Sequence, residues 1–364
     1  MATNVYFSES YQEARTRFLN AAHTCKAEVG FRAYGQKDPH TGQLFVDIAR
    51  VGDPRGKRVL VIISGTHGVE GFCGSACQTA WLSEQVCDRP SEITVYLIHA
   101  LNPYGFAWHR RVNEDNIDLN RNFLNFDSDL LPDNPEYREL EPLLNPRSLD
   151  EGTLGKLDPA LEGWFAPDKV KAFKAATAKG QYEFPKGNIY GGRAATWSNR
   201  LLRDFVRSLT SPLEAGIVLD IHTGLGKAGE LEMFTEERLD KFSRIKDWFK
   251  SRKVTTLGDH ESLGYVITGS LYRAFTEPDT AGPWHCVAME FGTQPLMQVL
   301  LALQADNWLH CFASGQHALS TRVQSLMSDA FSVPSECQNR VISTTLEVVS
   351  CATAALEAFG DKWG

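Results

Sequence analysis

Three rhythms of apolar and polar positions run along this chain. Around the turn signal "KDPHTG", the stretches "AEVGFRAYG" and "QLFVDIARVG" alternate apolar with polar, which predicts a hairpin within an N-terminal region of residues 1–55. "RVLVIISG" follows as a near-continuous apolar run, the pattern of a strand covered on both faces. "EITVYLIHALNP", "AGIVLDIHTG" and "HCVAMEFGT" repeat that pattern further along. Helical spacing marks residues 71–87, 294–317 and 337–358, and the stretches "DKVKAFKAATAKG", "WSNRLLRDFVRSL" and "RLDKFSRIKDWFKSRK". A proline- and acid-rich stretch beginning "DSDLLPDNPEYRELEP" makes residues 126–190 read as a surface excursion. Strands alternating with helices predict an α/β fold: a single domain over residues 1–364, with a mixed, largely parallel central sheet flanked by helices.

Composition narrows the class. With 364 residues, 43% hydrophobic and 23% charged, the chain has the make-up of a globular protein able to bury a large core. A net charge of -8 argues against general affinity for nucleic acid or anionic membranes. No apolar run reaches the roughly 18 residues that span a bilayer. The opening "MATNVYFSESYQEARTRF" has neither a basic nor an apolar signal region, so a cytoplasmic protein is expected. Eight cysteines are scattered without a CxxC pair, which favours free buried thiols over a disulfide framework. Cys73 and Cys77 share a helix face and are expected to pack in the core rather than bind metal.

In open α/β sheets, ligands gather at the carboxyl ends of the strands. The four buried runs end in "SGTHGVEG", "ALNPYG", "DIHTGLG" and "EFGTQP", and His67, Glu70 and His222 lie at two of these exits. Two imidazoles and a carboxylate are a common catalytic zinc set with one position left for water. Taken alone, an HxxE spacing is also compatible with a capping glutamate and a core histidine. His222 shares a strand face with Asp220, so a buried Asp–His hydrogen bond is an alternative reading. Asp220 is a candidate for the partner that orients a ligating histidine, although residues two apart on a strand sit about 6.5–7 Å from each other. Glu290 ends a strand so apolar that its carboxylate needs a donor, a cation or a metal-associated water nearby, a buried arginine being the bland alternative. "HRRVNEDNIDLNRNF" collects Arg110, Arg111, Asn120 and Arg121, whose forks and amides suit a carboxylate or an amide carbonyl, although paired arginines are often only a solvated loop.

The ordered blocks "THGVEG", "NPYG", "RRVNEDNIDLNRNF", "DIHTG" and "MEFGT" resemble the zinc carboxypeptidase superfamily, which includes carboxypeptidase A-like enzymes and the succinylglutamate desuccinylase and aspartoacylase branch. "NPYG" stands where many members have NPDG. The resemblance implies one zinc ion held by His67, Glu70 and His222, with Glu290 as general base and acid. It implies that Arg111 polarises the scissile carbonyl, with Arg110 an open alternative, and that Asn120 and Arg121 grip a substrate carboxylate. A substrate-capping tyrosine is expected at Tyr272 or Tyr265, in "GYVITGSLYRAF". The activity so implied is hydrolysis of an amide beside a free carboxylate, as a carboxypeptidase-type metallopeptidase acting on peptides. Two alternatives stand beside it: a deacylase of N-acyl amino acids, and a non-catalytic binding module on the same fold.

Overall fold

The four apolar runs become neighbouring strands because each has two faces to bury and only a sheet covered on both sides provides that. The computed structural model describes residues 4–37, 42–84, 92–128, 130–209, 212–259, 262, 264–277, 280, 282–313 and 317–359. Its first half runs α1 (Tyr11–Thr24), β1 (Glu28–Lys37), β2 (Gln43–Val51), β3 (Arg58–Ser64), α2 (Gly71–Glu84), β4 (Ile93–His99), α3 (Pro103–Ala107), α4 (Pro135–Leu144), α5 (Pro159–Glu162) and α6 (Val170–Lys179). The second half runs α7 (Trp197–Ser208), β5 (Ala215–Gly224), β6 (Leu231–Thr235), α8 (Leu239–Trp248), β7 (Lys253–Thr256), α9 (Arg273–Thr276), β8 (Trp284–Gly292), α10 (Leu296–Cys311), α11 (Ser320–Phe331) and α12 (Ser335–Glu357).

The strands form one sheet in the order β1-β2-β4-β3-β5-β8-β6-β7. Its centre, β4-β3-β5-β8, is parallel, and β1, β2 and the β6–β8 pairing add antiparallel edges. The sheet is therefore mixed with a parallel core, as the sequence predicts. Every residue of β5 is buried, Asp220 and His222 included. One face packs against α1, α2 and α12 through Phe18, Cys73, Cys77, Trp81, Val341 and Val348. The other packs against α7 and the α9 region through Leu202, Phe205, Leu271 and Phe275. The N-terminal hairpin is present as the antiparallel pair β1 and β2, and residues 38–41 of its turn lie outside the described residues. Among the described residues, no helix is long and apolar enough to cross a membrane.

Residues 126–190 hold α4, α5 and α6, and Tyr137, Leu140, Leu161 and Phe173 build a hydrophobic cluster there. Pro135 and Pro159 occupy first turns, where a missing N–H costs nothing. Cys25 is disulfide-bonded, whereas Cys73 and Cys77 are free and buried as expected.

Candidate metal centre

The site begins where β3 ends. Gly65 takes φ +66°, a conformation that glycine adopts without strain, and turns the chain toward the Gly68–Glu70 helical turn. At Gly68 an added Cβ would stand 2.0 Å from the Gly105 carbonyl carbon, so this turn lies directly against α3. The Gly68 and Val69 N–H groups donate to the carbonyls of Arg111 and Arg110, at 3.1 and 2.8 Å. That main-chain pairing fixes the arginine loop beside His67 and Glu70. From the sheet, β5 and β8 run in parallel register with His222 beside Glu290.

His67, Glu70 and His222 offer ligand atoms that all lie within 4.8 Å of one another, and all three residues are buried. His67 Nδ1 lies 2.9 Å from Glu70 Oε1, and His222 Nδ1 lies 3.0 Å from Glu70 Oε2. The far ring nitrogens meet carboxylates: His67 Nε2 is 3.1 Å from Asp118 Oδ1, and His222 Nε2 is 2.6 Å from Asp220 Oδ2. A carboxylate accepting from Nε2–H fixes the tautomer and leaves the Nδ1 lone pair facing the centre, so the donor set fits a divalent metal ion. Thr66 donates to Asp220 Oδ1 at 2.8 Å, and Arg111 reaches Asp118 Oδ2 through Nε and Glu70 Oε1 through Nη1, at 3.1 and 3.0 Å.

Charge follows this wiring. Burial opposes ionisation of Glu70, but His67 and His222 outweigh it and hold the carboxyl well below its ordinary range. Asp118 is likewise held low against burial by Arg111 and His67. Glu290 has no such neutralising partner. Burial and the negative charge of Glu70 push it up to about 7, against the weaker pulls of His222, the Leu225 N–H and Arg111. The Leu225 N–H donates to Glu290 Oε1 at 2.8 Å and aims the carboxyl.

Residues 7–343 match the family described as "Protein of unknown function (DUF2817)". The chain belongs to that family. No curated protein matches its sequence. In structure, this DUF2817 member is similar to carboxypeptidase A from Helicoverpa armigera, at 13% identity over 88% of this chain and 74% of that one, with a TM-score of 0.44. It is similar to bovine thrombin-activatable fibrinolysis inhibitor in complex with tick carboxypeptidase inhibitor, at 13% identity over 94% and 99% of the two chains and a TM-score of 0.43. It is also similar to murein-tripeptide amidase from Escherichia coli O157, at 15% identity over 77% and 92%, with a TM-score of 0.39.

In the DUF2817 member, His67, Glu70, His222, Arg111, Asn120, Arg121, Tyr265, Tyr272 and Glu290 all line one cavity of about 330 Å³. Arg110, read from the sequence as a substrate-binding alternative, does not. Its side chain is buried on Asp306, at 3.1 Å, and Asn116, at 3.2 Å. Arg121 donates to the main-chain carbonyls of Ala178 and Asn120, and Asn120 Oδ1 accepts from the Leu271 N–H at 3.0 Å. Burial raises the Tyr272 phenol, so it keeps its proton. Sequence reasoning missed Asp118 and left Asp220 only a candidate. An acid flanked by the buried apolar residues Ile117 and Leu119 was the available signal for the first. For the second, the spacing of strand residues misleads, because two side chains on one face converge at their tips.

Proposed function

We propose that this chain is a zinc-dependent hydrolase that cleaves an amide bond beside a free carboxylate, as a carboxypeptidase-type metallopeptidase. The observation that carries the reading is the convergence of His67 Nδ1 and His222 Nδ1 on Glu70, with both rings held from behind by Asp118 and Asp220. His67, Glu70 and His222 would hold the ion, which when bound supplies Lewis acidity to the scissile carbonyl and to a water.

The remaining work falls to the chain's own groups. Glu290, raised to about 7, accepts a proton from the attacking water near neutral pH and returns it to the leaving nitrogen. Arg111, anchored through Nε and Nη1, brings a fixed positive charge for the carbonyl oxygen as it becomes negative. Asn120 and Arg121, on the cavity wall, suit the substrate carboxylate.

The test is mass spectrometry of a peptide library incubated with zinc-loaded protein, half with free and half with amidated C-termini. Loss of single terminal residues from the free half alone is the expected result. Protein that takes up no zinc at neutral pH and trims neither half would overturn the reading.

A further inference from the structure

A second cavity backs onto the turn that carries Glu70 and shares no lining residue with the cavity of the metal donors. It holds about 660 Å³, within the range of small-molecule sites. Phe72 and Cys73, in the first turn of α2, form part of its wall directly after Glu70 and Gly71. Ser332 and Val333 form another part, directly after Phe331, which faces the metal donors' cavity. The rest comes from the segment before α1, from α1, from His109 and from the first turn of α12.

The segment before α1 runs along this cavity and is tied at both ends. The Asn4 N–H donates to Gln338 Oε1 at 2.9 Å, and the Glu9 N–H donates to Glu13 Oε2 at 2.8 Å. The first bond fixes which end of the Gln338 amide is the oxygen. Gln338 is only 7% exposed, yet its Nε2 has no hydrogen-bond partner among the described residues. A buried amide donor without a partner calls for an acceptor, and the cavity is the open space beside it.

Charge on the wall defines the other end of a ligand. Arg17 is engaged within the protein, donating through Nη2 to Glu13 Oε1 at 2.7 Å and through Nη1 to the Val5 carbonyl. Glu13 is thereby held through both oxygens. Glu9 keeps a carboxylate with no partner among the described residues, so the wall meets a ligand with negative charge. Beside these polar groups, Phe7, Phe72 and Val333 offer apolar surface, and the Phe72 ring is held against His109 at 4.9 Å between centroids.

We propose that this cavity binds a small α-amino compound, with an ammonium group one carbon away from a carbonyl or carboxylate. The ammonium faces Glu9, an oxygen accepts from Gln338 Nε2, and the side chain lies on Phe7 and Phe72. Two sources share that chemistry, a free amino acid and the N-terminus of a peptide. The site stands or falls independently of the hydrolase reading.

Calorimetric titration of zinc-loaded Glu290→Gln protein tests this without turnover, using leucine, leucinamide, glycine and N-acetyl-leucine. N-acetyl-leucine, which lacks the positive charge, should bind about fivefold more weakly than leucine, and glycine, which lacks the side chain, about tenfold more weakly. Glu9→Gln should weaken leucine by about three- to fivefold and Gln338→Leu by about tenfold. Glu9 is exposed, so its substitution leaves the fold intact and decides the matter if Gln338→Leu does not fold. Tighter binding of leucine than of leucinamide identifies a free amino acid as the ligand, and the reverse identifies a peptide N-terminus. N-acetyl-leucine binding as tightly as leucine, an affinity indifferent to both substitutions, or no heat from any of the four compounds overturns the proposal.

Discussion

Asp118 holds two side chains at once. One carboxylate oxygen faces His67 Nε2 and the other accepts from Arg111 Nε, so a single residue sets both the His67 ring and the charge beside it. Asp118→Asn removes the charge and weakens both contacts. We expect metal affinity to fall by about 10–100-fold in competition with a chelator. Glu290→Gln should behave differently, retaining zinc and losing about 10²–10⁴ in turnover. Glu290 must be ionised to accept a proton, so kcat/KM should decline as pH falls through its pKa. A cation at Glu70 offsets the charge that raises Glu290, which places the midpoint of that limb between 4.5 and about 7. A limb unchanged in Glu290→Asp would assign it to another group. At this scale the donors were legible because His and Glu at strand exits are chemically conspicuous. Asp220 was legible as a possible partner of His222, but Asp118 was not, because its part depends on how the His67 ring turns, and residue spacing does not encode that.

Elements position these groups through a few close contacts. The turn carrying Glu70 lies against α3 at Gly68 and Gly105, with no room for a methyl group at either. Gly68→Ala should lower the unfolding free energy by about 1–3 kcal/mol and reduce zinc occupancy, measured by thermal unfolding and metal analysis of the same sample. Native stability with full metal content would show that α3 yields. The long apolar runs, the amphipathic α7, α8 and α12, and the long, largely apolar α10 were readable because each pattern persists over many residues. Several others were not, the short α3, α4, α5 and α9 among them. The buried face of α1 relies on Ala14, Ala21 and Ala22 around Tyr11 and Phe18, so its contrast is low. α11 follows α10 closely, and β6 and β7 are too short to establish a period.

Across the whole molecule, acid should be the weak flank. His99 stacks on Phe18 under the sheet, and His285 lies within β8; both are almost wholly buried. Burial lowers them to about 3 and about 4. Their Nδ1 atoms find no hydrogen-bond partner among the described residues, so a proton there would be buried without an acceptor. The unfolded chain binds protons at both near pH 6.5, whereas the fold refuses them until about pH 4 or below. The stability these two histidines contribute is therefore complete above 6.5 and falls with acid by about 1.4 kcal/mol per pH unit for each, while Glu290, raised to about 7, opposes them with a single share of the other sign. Urea midpoints measured between pH 7 and 5 should drop accordingly, and His99→Gln should flatten the slope. At this scale the sheet and its chemistry-bearing edge were foreseeable, because parallel strands must be covered on both faces. The role of residues 126–190 was not, because a proline at a helix start looks like a proline in a loop.

That segment has a consequence for how such a protein diversifies. His67, Glu70, His222 and Glu290 ride on the strands and the turn after β3, while α4 and α6 supply much of the wall facing them. A change confined to residues 126–190 would recut that wall and leave the four side chains where they are, so the two can vary independently.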